Sequence, residues 1–350
     1  MAVFTVPDIQ VKGISAAVPK QVEDNNNFGL LSETERALFI KTVGIRYRRI
    51  APKDVTTSDL CLAAAEKLLT ELNWNRDDIK VLVFVTQTPD YIIPNTSSLL
   101  QQKLGLSKSC IAFDVNLGCS GYVYGLSITG GLLQNMQGTK ALLLVGDIST
   151  ATISMQDKST APLFSDAGSA TALEHKPGSK IDFNLQTDGK EFDDIIIPGG
   201  GYRNQFNKEM LHYTEYEKGI SRNQLHMKLD GVRIFNFGLR EAAANVETLL
   251  LEKGIDKESV DYFVFHQANL LMLESIRKKL KAAPEKVPYS LYEYGNTSSA
   301  TIPVTMVTKL NQQLQSGKVK LLLSGFGVGL SWGSAYIETE NIICPKLVEI

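Results

Sequence analysis

Short, nearly uninterrupted apolar runs alternate along the chain with segments whose apolar residues recur at helical spacing. Residues 81–86, Val-Leu-Val-Phe-Val-Thr, form one such run. The preceding residues 57–72 have helical spacing and open with Thr, Ser and Asp, which are residue types that cap helices. Strands without polar alternation are buried on both faces. The pattern therefore predicts an α/β fold in which helices cover both faces of the sheets.

The same order of elements recurs in the second half of the chain. A second segment of helical spacing leads into an apolar run at 262–266, so that Val85 and Phe265 stand 180 positions apart. The runs at 141–146 and 320–325 recur at an offset of 179. Two blocks that repeat in the same order at almost one offset predict two duplicated halves, each built from strands and helices.

The duplication also predicts how the chain divides. An N-terminal half would span residues 1–175 and a C-terminal half residues 176–350, with the boundary near His175-Lys176-Pro177-Gly178. Residues 187–230 are rich in glycine and polar residues and would form an insertion. Composition leaves two interpretations of that insertion open, a cover over a site or a surface excursion.

Composition and charge exclude several classes of function. The 350 residues are 43% hydrophobic and 21% charged, as expected of a globular chain long enough for two cores. A formal charge of −2 gives no overall field that would attract nucleic acid or an anionic membrane. No apolar run approaches the ~18 residues of a membrane span, and no secretory signal is visible. We expect a cytoplasmic protein without a nucleic-acid or membrane partner.

One cysteine lies where the chain changes from strand to helix. The four cysteines lack the spacing of a metal site or a disulfide framework, so no bound metal is expected: Cys61, Cys110, Cys119 and Cys344. Cys119 lies between an apolar run at 111–113 and a helical pattern at 122–136. Backbone N–H groups at a helix start favour a thiolate and would lower the thiol pKa from ~8.5 to ~7. The alternative is an inert cysteine of the core.

Two polar residues of the second half occupy related positions. His266 ends an apolar run, and Asn296 precedes a helix expected to begin around Pro303. Alone, each fits a structural role at a strand end or a turn. Subtracting 180 maps Asn296 onto Asn116, three residues before Cys119. If the halves pack about a pseudo-twofold axis, these strand ends converge, which predicts one site.

The loop Gly325-Phe326-Gly327-Val328-Gly329 is a further candidate. Its glycine spacing is similar to a dinucleotide-binding fingerprint, but only 21 residues follow it, too few for the βαβ unit that such a site requires. A glycine-rich turn after a buried strand can instead direct a backbone N–H at an oxyanion. The loop therefore favours a contact with an oxyanion over nucleotide binding.

Taken together, seven motifs in order resemble the β-ketoacyl-acyl-carrier-protein synthase III family of the thiolase-like superfamily. They cover almost the whole chain, at residues 42–50, 114–121, 163–170, 198–201, 266–269, 295–303 and 325–333. The resemblance implies the five-layered αβαβα thiolase fold and a homodimer. It also implies decarboxylative Claisen condensation, without a bound metal or redox cofactor.

The resemblance assigns roles to the candidate residues. Cys119 would take an acyl group from acyl-coenzyme A or an acyl-acyl-carrier protein (acyl-ACP), a small-molecule or protein-borne acyl thioester. His266 and Asn296 would receive malonyl-ACP, and backbone N–H groups of Cys119 and Val328 would hold the acyl-transfer oxyanion. Ile93 matches a residue that closes the acyl pocket of the partner subunit. Loss of CO₂ places negative charge on the thioester oxygen, which calls for N–H donors from a neutral imidazole and a carboxamide.

Departures from the family pattern bear on the acyl donor. Leu38 and Thr42 stand where the family has a Trp and an Arg that grip the nucleotide end of coenzyme A, which favours ACP as the donor. Leu271 stands where the carrier-protein patch of the family begins with an Arg. Arg277, Lys278 and Lys279 follow on the same predicted helix and would bind the acidic carrier, or else form only a solvated helix face.

Rival functions remain open at this stage. A thiolase would need a second cysteine in the last glycine loop, and an elongating synthase would need a histidine in place of Asn296. A relative that transfers the acyl group from Cys119 to an oxygen or nitrogen nucleophile is one alternative. A non-catalytic subunit that binds carrier proteins is another, although such a subunit need not keep Cys119, His266 and Asn296 together.

Overall fold

Two long antiparallel strands form the middle of the sheet in the computed structural model, which describes residues 2–350. The strands of the chain are β1 Ala2–Val18, β2 Val22–Asp24, β3 Tyr47–Arg49, β4 Ile79–Val85, β5 Ile111–Val115, β6 Lys140–Ile148, β7 Asp166–Thr187, β8 Ile195–Ile196, β9 Thr214–Glu217, β10 Ile220–Arg222, β11 Lys228–Leu229, β12 Tyr262–Phe265, β13 Lys318–Gly327, β14 Ser331–Glu340 and β15 Val348–Glu349. The helices are α1 Glu33–Val43, α2 Thr57–Leu72, α3 Thr96–Lys103, α4 Gly121–Leu133, α5 Gly231–Lys253, α6 Leu270–Leu280, α7 Leu291–Tyr294, α8 Thr301–Lys309 and α9 Asn311–Gln315.

Strand β7 is shared by two five-stranded arrangements. Its first part, 166–174, pairs with β6, which continues to β4 and β5. Its last part, 181–187, pairs with β14, which continues to β13 and β12. Strand β1 pairs with both parts of β7. The boundary predicted at residue 175 thus lies inside a strand that both halves use, and the division at that residue stays a prediction.

The duplication is visible in the strand pairing. Strands β4 and β6 are parallel with Val85 opposite Val145, and β12 and β13 are parallel with Phe265 opposite Ser324. The copies differ at one strand, because the residues 180 positions after β5 form the short helix α7. The strand that β5 adds to the first copy therefore has no counterpart in the second.

Helices fill three layers around the two arrangements of strands. Helices α4 and α8 share one core cluster with strands of both copies, which places them between the sheets. Helix α2 packs on the outer face of the first copy, and α5 and α6 cover the outer face of the second. Helix α4 has no charged residue, as expected of a helix buried on all sides. The predicted five-layered α/β fold is confirmed.

The ends of helices α2 and α5 show how accurately the sequence pattern predicted helix limits. Helix α2 has the predicted limits, because Thr56 and Asp59 form a capping box at its start and Asn73 ends it in the left-handed conformation. Helix α5 starts at Gly231, before the helical spacing that the sequence shows over 237–252, because Asp230 caps it through a hydrogen bond from the Arg233 N–H. No helix in the described part of the chain has the length and apolar character to cross a membrane.

Candidate active site

Cys119 lies in the turn that joins β5 to α4, next to Ser120, the residue that precedes the first turn of that helix. Its side chain is half-buried and borders a cavity of about 160 Å³. The turn approaches the last glycine loop closely, since a Cβ added at Gly325 would lie 2.8 Å from the carbonyl oxygen of Cys119. The position at the strand-to-helix transition is as predicted.

His266 and Asn296 border the same cavity. His266 directly follows β12, and its backbone N–H donates to the carbonyl oxygen of Ser324 on the neighbouring strand at 2.8 Å. Asn296 lies between α7 and α8. The three side chains thus come from three strand or helix ends, one in the first copy and two in the second. The structure brings the three predicted site residues together.

The walls of the cavity are mostly apolar. They include Leu163, Phe164, Ile234, Met272 and Phe326. Two residues of the segment 187–230, Ile195 and Leu229, also line the cavity, which favours the interpretation of that segment as a cover over the site. Charge interactions are stronger in such an enclosure than in water.

Gly327 fits tightly against the nucleophile. A Cβ at this position would lie 2.7 Å from the Cβ of Cys119 and 2.9 Å from its sulfur, closer than real side chains approach. Only glycine leaves the sulfur in place. On the other side, a Cβ at Gly118 would meet Gln87 and Val328 within 2.7 Å. A side chain at either position would collide with neighbouring atoms, so both loops need glycine there.

Backbone N–H groups of Cys119 and Val328 face the sulfur of Cys119, where both lower the thiol pKa. Val328 directly follows β13, in the last glycine loop. An oxyanion formed at a carbon bound to this sulfur would lie within reach of both donors. The arrangement fits the oxyanion role that the sequence assigned to these two groups.

The predicted acidity of Cys119 is wrong. Burial, and after it the negative charge of Asp147, raise the pKa of the thiol to about 11, and the backbone N–H groups offset only part of the rise. The sequence argument counted the helix dipole and left out the loss of hydration. At neutral pH the resting nucleophile is therefore a thiol, and its proton must be removed during the reaction.

His266 is held neutral. It is 2% exposed, and burial lowers the pKa of its imidazole to about 3. Its Nδ1 lies 2.7 Å from the hydroxyl of Thr301, and its ring meets the edge of the Phe326 ring at 5.6 Å. A buried neutral imidazole can offer one N–H to a ligand without carrying charge.

The side chain of Asn296 is oriented by its own loop. The backbone N–H of Ser298 donates to Oδ1 of Asn296 at 2.9 Å, which leaves the NH₂ group to face the cavity. The Asn296 backbone bonds to the segment 163–165 at 2.9 and 3.0 Å. The NH₂ group can therefore donate to a bound oxygen while Oδ1 keeps its hydrogen bond from Ser298.

The remaining candidates lie outside the cavity. Ile93 is 84% exposed in a loop with Tyr91 and Ile92, and it does not border the cavity of its own chain. Arg277 is bound by Glu274 at 2.8 Å and by the carbonyl oxygen of Ala282, so its charge is not free for a partner.

The lysines of the predicted patch differ from each other. Lys278 is exposed and has no ion pair over residues 2–350. Lys279 donates to the carbonyl oxygen of Leu239 at 3.0 Å. Lys278 is therefore the member of the patch most available to a partner. No cluster of His, Cys, Asp and Glu that could hold a metal ion occurs among the described residues.

Sequence reasoning missed three residues near the site. Asp147 is buried at the last position but one of the apolar strand β6, and Ser298 and Thr301 follow Asn296. A charged residue directly after the run Leu142-Leu143-Leu144-Val145-Gly146 was the available signal for Asp147. The other two had none, because their role depends on the fold that brings them to Cys119 and His266.

Comparison with known proteins gives a consistent result. Residues 113–189 match the family model 3-oxoacyl-[acyl-carrier-protein] synthase III, and residues 250–339 match the C-terminal model of the same family. A putative 3-oxoacyl-[acyl-carrier-protein] synthase 3 of Campylobacter jejuni is 33% identical over 97% of this chain and 96% of its own. A β-ketoacyl-[acyl-carrier-protein] synthase III of Streptococcus sanguinis is 30% identical over 94% and 98%. The crystal structure of a 3-oxoacyl-(acyl-carrier protein) synthase from Burkholderia xenovorans LB400 matches with a TM-score of 0.93, 36% identity and 99% coverage of both chains.

Proposed function

Because the chain belongs to the 3-oxoacyl-[acyl-carrier-protein] synthase III family, we propose that it condenses an acyl thioester with malonyl-ACP to 3-oxoacyl-ACP and CO₂, a reaction of fatty acid biosynthesis. The proposal rests on one observation. Cys119, His266 and Asn296 border the same mostly apolar cavity. A silent carrier-binding subunit would not need this arrangement.

In the first half-reaction, the sulfur of Cys119 attacks the carbonyl carbon of the acyl thioester. Negative charge develops on the carbonyl oxygen, and the N–H groups of Cys119 and Val328 would donate hydrogen bonds to it. The tetrahedral intermediate then expels the donor thiol, which leaves with a proton. The acyl group remains on Cys119 as a thioester.

In the second half-reaction, malonyl-ACP takes the place of the first donor. The bond between its carboxylate carbon and C2 breaks, CO₂ leaves, and the electron pair forms an enolate on the thioester oxygen. His266 and Asn296 stabilise that oxygen as uncharged donors. C2 then attacks the acyl carbon on Cys119, and the sulfur leaves as a thiolate and takes up a proton from solvent. CO₂ loss supplies the carbanion, so the step needs no metal or electron carrier.

We further propose that ACP delivers both substrates. Leu38 is 58% exposed and Thr42 bonds back to the carbonyl oxygen of Leu38, so neither offers a stacking surface or a cation to a nucleotide. The exposure of Ile93 supports a homodimer in which this residue reaches the pocket of the partner copy. The free state of all four cysteines supports a cytoplasmic location.

Intact-protein mass spectrometry tests the proposal. The protein is incubated with acetyl- and octanoyl-coenzyme A and with the same acyl groups on ACP, and malonyl-ACP is then added. We expect an adduct on Cys119 that is discharged with release of CO₂, while Cys119→Ala forms none. An adduct that malonyl-ACP does not discharge would instead indicate acyl transfer to an oxygen or nitrogen nucleophile. No adduct with any donor would indicate a non-catalytic subunit.

The Thr301 hydroxyl contacts the His266 ring and bears on which ring nitrogen carries the proton. It has one proton and two contacts, Nδ1 of His266 at 2.7 Å and the carbonyl oxygen of Ser298 at 3.0 Å. The enolate needs the tautomer with the ring proton on Nε2, and we propose that in this state the hydroxyl donates to Nδ1 instead of to the carbonyl oxygen of Ser298. Thr301→Val should lower the condensation rate about tenfold, as expected for the loss of one such hydrogen bond, with Cys119 acylation unchanged.

Single-turnover assays of both half-reactions check the effect of Thr301→Val. Thr305→Val is the matched control, because Thr305 lies one turn later on α8 and bonds to Ser290 and to the Thr301 backbone. It should cost stability without changing the condensation rate. Equal condensation rates in Thr301→Val and the wild type would exclude the role of the hydroxyl.

Charge reversal at Lys278 tests the carrier-protein surface. Lys278→Glu should raise the KM for malonyl-ACP several-fold at low salt, and the difference should shrink as ionic strength rises. Steady-state kinetics at two salt concentrations measure this. The control is Lys318→Glu, at the end of β13 far from the glycine loop. An unchanged KM in Lys278→Glu would remove the lysine from the docking surface.

A further inference from the structure

A second cavity adjoins the loop that carries Cys119. It has a volume of about 350 Å³, and Gln87 and Val328 lie on its wall. A Cβ added at Gly118, the residue before Cys119, would meet Oε1 of Gln87 and lie 2.7 Å from Cγ1 of Val328. Ile195 borders both this second cavity and the cavity of about 160 Å³ that Cys119 borders. The two cavities therefore lie next to each other at the nucleophile.

The proposed reaction needs two spaces at Cys119 at the same time. Malonyl-ACP must reach His266 and Asn296, which border the cavity of about 160 Å³. The acyl group stays attached to the sulfur of Cys119 until C2 attacks it, so it must lie elsewhere. The second cavity adjoins the same residue and is the larger of the two. It is therefore the space for the acyl group, an assignment that rests on the proposed function.

One part of the wall of the second cavity is polar and has no partner within the chain. Ser149 and Ser298 border this cavity and are only 4% and 7% exposed. Gln87 follows β4 and Asn116 follows β5, and both also border it. Within residues 2–350, the side chains of these four residues form no hydrogen bond. Most of the remaining wall is apolar and consists of Ile195, Ile196, Ile197, Met227 and Val328.

The other polar groups on this wall already have partners. Asp147 accepts the backbone N–H of Gln87 at 2.7 Å and the hydroxyl of Ser299 at 2.5 Å. The hydroxyl of Thr88 is also hydrogen-bonded, and that of Thr152 donates to a backbone carbonyl oxygen at 2.8 Å. The donors around Asp147 favour its ionised form, which would repel a second carboxylate in the cavity. A ligand that completes the hydrogen bonding of this cavity is therefore polar and uncharged.

We propose that the acyl group received by Cys119 carries a hydroxyl group that hydrogen-bonds to the polar wall of the second cavity. A plain alkyl chain would separate Ser149 and Ser298 from water without offering them a partner, which is unfavourable. A hydroxyl is both a donor and an acceptor, so it can bond to a serine hydroxyl or to the carboxamide of Gln87 or Asn116. The methylene groups of the chain pack against the apolar part of the wall. The inference rests on the proposed acylation of Cys119 and names the class of its substrate.

A comparison of acyl donors tests the inference. The wild-type protein is incubated with N-acetylcysteamine thioesters of octanoate and of its 3-hydroxy, 5-hydroxy and 8-hydroxy derivatives, and quenched-flow mass spectrometry follows the adduct on Cys119. We expect at least one hydroxyoctanoyl thioester to have a second-order rate constant of acylation about tenfold above that of octanoyl. A site that hydrogen-bonds a substrate hydroxyl discriminates against the analogue that lacks it. The half-thioester of octanedioate, which ends in a carboxylate, should react more slowly than octanoyl.

Ser149→Ala and Gln87→Met locate the preference on the wall. Each substitution removes a polar group without adding length to the side chain, so each should lower the ratio of the hydroxyoctanoyl rate to the octanoyl rate. The double variant should bring that ratio close to one. Ser15→Ala is the matched control, because Ser15 is fully buried, its hydroxyl has no partner among the described residues, and it borders neither cavity. This control should keep the wild-type ratio.

Two results would overturn the inference and leave the proposed function intact. One is acylation of the wild type by octanoyl as fast as by each hydroxy derivative. The other is a preference for a hydroxy derivative that a folded double variant retains in full, which would place the recognition outside this wall. If no thioester forms an adduct on Cys119 of the wild type, the proposed function itself fails.

Discussion

Gly327→Ala is expected to lower the rate of Cys119 acylation by 10²-fold or more, because a misplacement of about 1 Å at a reacting atom has an effect of that size. The added methyl would lie 2.7 and 2.9 Å from the Cβ and sulfur of Cys119. Neither can move away freely, since Gly325 packs against the backbone of Cys119 and Ser120. The sulfur would shift out of line with the N–H groups that face it. Quenched-flow mass spectrometry with octanoyl-ACP measures the rate.

Gly131→Ala is the matched control for this substitution. Gly131 lies near the end of α4, the helix that follows Cys119, and nothing lies within 4 Å of a Cβ placed there. Alanine should stabilise the helix by about 0.5–1 kcal/mol and leave acylation unchanged. If Gly327→Ala is acylated as fast as Gly131→Ala, the loop is more compliant than the distances indicate.

Asn296→Asp is expected to lower the condensation rate by more than the 10²–10³-fold typical of one lost oxyanion donor. The substitution removes the NH₂ donor and adds a negative charge where the enolate oxygen develops charge. Oδ1 can still accept from the Ser298 N–H, so the loop should keep its shape. Acylation of Cys119, which uses backbone donors, should be nearly unaffected. Comparison of adduct formation with CO₂ release separates the two steps.

Asn75→Asp controls for the same chemical change at a distance. Asn75 accepts the Asp77 N–H at a short 3₁₀ turn, a role that aspartate also performs, and it lies before β4 on the surface. Both half-reactions should proceed at wild-type rates in this variant. Condensation by Asn296→Asp within tenfold of the wild type would show that Asn296 is not a donor to the enolate.

Much of the fold follows from periodicity and self-similarity. The runs that became β4, β6, β12 and β13 are apolar on both faces, which is why they could be identified as buried strands before their neighbours were known. The strand β7 could not be inferred in this way, because its middle, Glu174 to Lys180, is polar and exposed. Strand β1 pairs with β7 on both sides of that segment, at His175 and at Lys180, and so joins the two parts into one strand.

The site was predictable in its residue types and only partly in its electrostatics. Cys119, His266 and Asn296 stood out as polar residues at the ends of apolar runs, and the duplication joined them. The acidity of Cys119 depends on how much water the folded chain removes and on Asp147, which approaches from another strand. Both are properties of packing between segments distant in sequence. A local argument from one helix end therefore gave the wrong direction for this pKa.

The shared strands β1 and β7 limit how the protein can move. Residues 2–6 of β1 pair with the part of β7 that serves the second copy, and residues 11–17 pair with the part that serves the first. Hinge motion needs a connection whose torsion angles can change without breaking packed elements, and none joins the two copies here. We therefore expect the half that carries Cys119 and the half that carries His266 and Asn296 to move as one unit. If the pocket opens for a long acyl chain, we expect the movement in the segment 187–230, whose Ile195 and Leu229 line the cavity.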